Sequence, residues 1–149
     1  MLRIRTIKPD FFTSESVLDL SPLARLLFIG LWTEADREGR LRWRPKTWKY
    51  RFLPADNCQI LDVVDELLAG DKPSIVRYAH GGADYAYIPG FPKHQVINNR
   101  ETNSTLPPPP DYEPPPPPEE KPKTRGKRRK PKFDPIKHLI EGADDGDKT

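Results

Sequence analysis

Cysteine is nearly absent. Cys58 is the single one in 149 residues, which excludes an intramolecular disulfide and any cysteine-based zinc knuckle. Histidine is almost as scarce: His80, His94 and His138 lie far apart, and no His/Cys/Asp cluster has metal-ligand spacing. Ser14 and Ser16 beside Glu15 read as turn and cap residues, not as a nucleophile with its base. Gly81-Gly82 reads as a turn, since no phosphate-cradling helix follows it. With no catalytic constellation and no cofactor or metal site, an enzyme is not expected. Met1-Leu2-Arg3-Ile4-Arg5 alternates charge and bulk without the apolar core of a secretory leader. The most apolar run, Ser21 to Asp36, is too short to cross a bilayer and is interrupted by Arg25. The expectation is a soluble chain in a reducing, cytosolic setting with no membrane partner.

Proline and charge are what the chain has in quantity. Proline accounts for 19 residues, most of them beyond Leu106, and this holds hydrophobic content to 35%. Net charge is +3. Residues 1–100 carry 15 Lys/Arg against 12 Asp/Glu, whereas residues 101–149 carry 10 against 10, so the excess belongs to the first segment. Length and composition support one globular domain over residues 1–100, a Pro-rich linker over 101–120, a basic segment over 121–132 and a short amphipathic peptide with an acidic end over 133–149.

Leu2–Lys8 alternates apolar and basic residues, as an extended arm or strand with Arg3, Arg5 and Lys8 on its polar side. Phe11 and Phe12 are expected to anchor it. Ser21 and Pro22 start a central helix that is apolar nearly all round and therefore buried. Gly39 suits a turn, and Leu41–Trp43 is a short strand candidate. Arg44–Leu53 reads as a second main helix with Trp48 and Phe52 inward. In Asn57–Ala69, Ile60, Val63, Val64, Leu67 and Leu68 make a clean helical stripe, with Asp56 and Gln59 as a capping-box-like start. Ser74–Tyr78 and Asp84–Ile88 flank His80-Gly81-Gly82-Ala83 as a hairpin. Three main helices with a short strand and a β-hairpin wing make an α+β winged helix-turn-helix, followed by a disordered Pro-rich and basic tail.

Arg3–Phe12 (RIRTIKPDFF), Leu20–Leu41 (LSPLARLLFIGLWTEADREGRL) and Phe91–Gln95 (FPKHQ) resemble the N-terminal winged-helix domain of phage replisome-organiser or replication-initiation proteins. The resemblance covers residues 3 to 98. It implies a phage or prophage DNA-binding domain that marks a replication origin and helps recruit host helicase machinery, with duplex DNA and a helicase or helicase loader as partners.

In an ordinary winged helix the helix before the hairpin reads the major groove. Here that helix, Asn57–Ala69, offers Asp62, Asp65 and Glu66 and no Lys or Arg, a face that phosphates repel. Positive charge lies instead on Arg3, Arg5 and Lys8 and on Arg40, Arg42, Arg44, Lys46, Lys49 and Arg51, with Arg77 and Lys93 near the hairpin. These are the expected DNA contacts; the bland alternative is a solvated face balanced by Glu34, Asp36 and Glu38. Asn57, Gln59 and the hairpin tip remain as base-reading candidates. Trp43 stays open as a stacking residue, and His94 is expected as a hydrogen-bonded closing residue.

Thr102–Thr105 reads as a polar linker and Leu106–Pro118 as a semi-rigid polyproline spacer, with an aromatic-groove ligand as the alternative. Lys121, Lys123, Arg125, Lys127, Arg128, Arg129, Lys130 and Lys132 form a run without an acid that suits sequence-indifferent backbone binding. Phe133, Ile136, Leu139 and Ile140 share one side of a short helix that could fold on a partner's groove. A winged-helix repressor or regulator, or a protein-docking module without a specific DNA site, are the alternatives to an initiator. An oligomer is compatible with each.

Overall fold

Ala24, Leu27, Phe28, Leu31 and Trp32 repeat at helical spacing, and this stripe is the buried side of helix α2, Pro22–Glu34. Ser21 Oγ accepts the Ala24 amide at 3.2 Å, and Pro22 occupies a position where the missing N–H costs nothing. Burial is not all round: Leu26 is exposed, and Leu23 and Ile29 are partly covered. The helix therefore lies at the margin of the core and keeps one wet side.

The computed structural model describes residues 1–111. Among them an α+β arrangement of five helices and a three-stranded antiparallel sheet is seen. A 3-10 turn, Pro9–Thr13, and α1, Glu15–Leu18, precede α2. β1, Arg40–Arg42, leads to α3, Pro45–Phe52, and α4, Ile60–Leu68. The hairpin β2, Val76–His80, and β3, Ala83–Tyr87, follows, and α5, Phe91–His94, closes the sequence of elements. Sheet order is β1-β3-β2, with Leu41 opposite Ala86 and Ala86 opposite Arg77. Gly81 and Gly82 both have positive φ, the backbone that a two-residue hairpin turn with the right twist requires. The expected basic segment 121–132 and the peptide 133–149 lie outside the described residues.

Several expectations are corrected. α4 begins at Ile60 with Gln59 as its N-cap residue and no side-chain cap bond, so the start proposed at Asp56 does not form. Phe12 is exposed, while Phe11 alone inserts, 4.9 Å from the Trp32 ring and 6.2 Å from Phe28. Residues 101–107 are not a free linker but bond to Arg3, Arg5, Asp36, Arg37, Arg40 and Tyr78, so the folded unit runs past residue 100.

Candidate nucleic-acid interface

The basic residues divide into those spent inside the fold and those left on its surface. Helix α2 ends with carbonyls that lack helical partners, and the arm supplies cations to them. Arg3 Nη1 donates to the Glu34 and Ala35 carbonyls at 3.1 Å each. Arg5 donates to Trp32 O at 3.1 Å and to Ala35 O at 2.8 Å. Positive charge at a helix C-terminus is also favoured by its dipole. Both arginines then pair with Glu101 at 2.8 Å. The Arg5 side chain is 3% exposed, and its guanidinium also lies 5.2 Å from the Phe91 ring centroid. The expected orientation of the arm is thus inverted: Arg3 and Arg5 turn inward, and Ile4 and Ile7 face solvent.

Arg40 is likewise internal. Its side chain is 7% exposed and meets Glu38 and the Leu106 carbonyl. Asp36 organises the turn before it, accepting the Glu38 and Arg40 amides at 2.9 Å and the Ser104 hydroxyl. The Arg5 hydrogen bonds hold the Glu101 carboxyl below its ordinary value, against a smaller opposing effect of burial.

What remains outside is concentrated where β1 runs into α3. Arg42, Arg44 and Lys46 are exposed. One turn beyond Lys46, Tyr50 stands 81% exposed. The same turn spacing that turns Trp48 and the partly buried Phe52 toward the core points Lys46 and Tyr50 outward, which sets an exposed aromatic among cations. Arg51 is tied to Glu34 at 2.7 Å, and Lys49 is half-buried with Nζ on the Leu53 carbonyl. Arg77 bonds Asp84 at 2.5 Å and covers Trp43, its guanidinium 4.6 Å from the ring centroid. Trp43 meets Trp48 edge-on at 5.3 Å, so the indole is packed rather than open for stacking. Lys8 and Lys93 are exposed and adjoin one another through the Lys93 carbonyl, which accepts from Lys8 Nζ at 3.2 Å.

On α4, Asp62 and Asp65 are exposed, but Glu66 is not part of that face. Its carboxylate accepts the Ser21 amide at 2.8 Å and hydroxyl at 2.9 Å, a second cap for α2. Asn57, Gln59 and residues 80–83 at the hairpin tip are exposed. His94 is exposed too, and the closing role falls to its neighbour. Gln95, buried, accepts the Thr6 amide and donates to the Thr6 carbonyl, both at 3.1 Å.

Among the described residues no group of three or more His, Cys, Asp or Glu is placed to hold a metal ion. No helix among them is long and apolar enough to cross a membrane. Comparison with protein-family models, curated proteins and solved structures finds no match to this chain.

Proposed function

We propose that this chain is a winged-helix DNA-binding protein of a phage or prophage that recognises a replication origin and helps recruit the replicative helicase. The observation that carries the fold reading is the element order: helix α2, strand β1, helices α3 and α4, then a hairpin, with β3 between β1 and β2. That order supports reading the hairpin as a wing that follows a helix-turn-helix. The resemblance of Arg3–Phe12, Leu20–Leu41 and Phe91–Gln95 to replisome organisers supports the biological role.

Electrostatics favour docking away from α4, whose exposed Asp62 and Asp65 oppose phosphate. Arg42, Arg44 and Lys46 with Tyr50 form the proposed contact strip, and Lys121–Lys132 adds sequence-indifferent affinity through its tether. Arg5 and Arg40 leave the set of DNA contacts, because internal acceptors already hold them.

The same acidic α4 favours a second reading, a protein-docking module for a basic partner. Asp62 and Asp65 are exposed, and Glu15, Asp19 and Asp71 line a depression beside its C-terminal end.

A salt titration of full-length protein on duplex DNA, random against the gene's own neighbourhood, separates the two. Under the DNA reading, Arg44→Glu with Lys46→Glu weakens binding and lowers the salt slope by about 0.9 per lost phosphate contact. An unchanged slope and affinity overturn the strip. Deleting residues 133–149 is expected to spare DNA binding and abolish helicase pulldown; retained pulldown refutes that recruiting role.

A further inference from the structure

The outer face of the sheet bears three tyrosines and one buried arginine, and the carbonyls of Leu106 and Pro107 are bonded to it. Cross-strand pairing sets Arg40 opposite Tyr87, and Arg42, Tyr85 and Tyr78 in one row. Cross-strand partners share a face and strand neighbours alternate, so Arg40, Tyr78, Tyr85 and Tyr87 project together, away from core-facing Leu41 and Ala86. Tyr78 stacks on Tyr85 at 5.6 Å and meets Tyr87 edge-on at 6.0 Å.

Two donors stand in this aromatic patch, and they address consecutive carbonyls. Arg40 Nη1 donates to Leu106 O at 2.8 Å, and the Tyr78 hydroxyl donates to Pro107 O at 2.7 Å. Pro109, two residues on, is buried. A proline has no N–H to offer, so a proline-rich segment is recognised through its carbonyls and by ring faces against its pyrrolidines. The carbonyl donors are in place, three tyrosine rings share the face that carries them, and one donor is a nine-tenths-buried guanidinium. A spacer resting on a surface requires none of these.

We propose that the Tyr78–Tyr85–Tyr87 face is a polyproline-recognition site. Its ligand class is a Leu-Pro-Pro-Pro peptide in the polyproline II conformation. Leu106–Pro109 fills the site in cis, and a peptide of that class enters in trans when the segment is removed. The site is independent of the DNA reading and stands if that reading fails. Tethering sets the competition: a short linker gives the cis segment an effective concentration on the order of millimolar. A peptide in trans therefore binds the native chain at least about 10-fold more weakly than a chain whose own segment has been erased.

The test uses the full chain carrying Leu106→Ser, Pro107→Ser and Pro109→Ser, with a synthetic peptide spanning residues 104–111 as the probe. Saturable shifts of the Tyr78, Tyr85 and Tyr87 ring signals are expected in this variant. The native chain is expected to respond only at concentrations at least about 10-fold higher, and a peptide with alanine for each proline is expected to be inert. A folded variant that ignores the peptide, or takes the alanine peptide equally well, overturns the proposal. Should the triple variant not fold, Tyr78→Phe in the otherwise native chain decides. Its Leu106 methyl signals are expected to move toward those of an unstructured peptide, and signals left at their native positions overturn the site.

Discussion

The Arg5 guanidinium grips the Glu101 carboxylate through two nitrogens, at 2.9 and 2.8 Å, joining residues 96 positions apart. Bidentate geometry of this kind is among the stronger forms of charge-assisted hydrogen bonding. It ties the first residues of the fold to the segment that follows α5, at the C-terminus of α2. Arg3, through Nε at 2.8 Å, joins the same carboxylate.

Breaking this clasp has a pH signature. The Glu101 carboxyl is held below its ordinary 4.5 in the folded state, chiefly by the Arg5 hydrogen bonds. Its stabilising effect is therefore complete above the unfolded value and disappears as pH falls through the folded one. Glu101→Gln is expected to cost about 2–3 kcal/mol at neutral pH, since Arg5 is left buried without its counter-charge. Melting temperatures measured from pH 7 down to acid are expected to converge for the two proteins below the ordinary carboxylate range. A gap that stays constant to acid pH would contradict the assignment.

Tyr78 titrates at the other end of the scale. Burial pushes its phenol up to about 12, partly offset by the Arg40 charge. The folded state thus favours the neutral phenol. Stability from this group is full below the unfolded value near 10 and is lost as pH rises toward 12. Phenolate absorbance followed against pH is expected to include a late component that Tyr78→Phe removes. Its persistence in that variant would reassign it.

Gly30 marks a close approach of α2 and α3. A methyl group there would lie 2.6 Å from the Phe52 ring. On an open helix surface Gly→Ala stabilises by about 1 kcal/mol. Here the clash reverses the sign, and Gly30→Ala is expected to destabilise by about 1–3 kcal/mol. The urea unfolding midpoint reads it, and an upward shift would show that the ring moves away freely.

Gln95→Ala removes both bonds to the Thr6 backbone and exposes a gap at a buried position. A loss of about 1–3 kcal/mol is expected. Hydrogen exchange distinguishes arm release from general loosening: the Thr6 amide should lose protection, while the Ala86 amide in the central strand keeps its own.

Local rules made much of this fold legible. The stripes of α2 and α4, the Ser21 cap, Pro at the head of α3 and the Gly-Gly hairpin all depend on neighbours within a few residues, which the sequence displays directly. Charge segregation and the acid-rich α4 were readable for the same reason. The use of each charge was decided only in three dimensions. Arg5 and Arg40 look like any basic residue until the free carbonyls of α2, the Glu101 carboxylate and the Leu106 carbonyl are brought to them from up to 96 positions away. Glu66 likewise belongs to Ser21, 45 residues before it. A proline run reads as a spacer until the sheet brings Arg40 and Tyr78 to the carbonyls of Leu106 and Pro107. Periodicity reports which side of an element is apolar, but the partner of a buried polar group is chosen by the tertiary fold, because most such groups are paired with whatever donor or acceptor the chain brings to them.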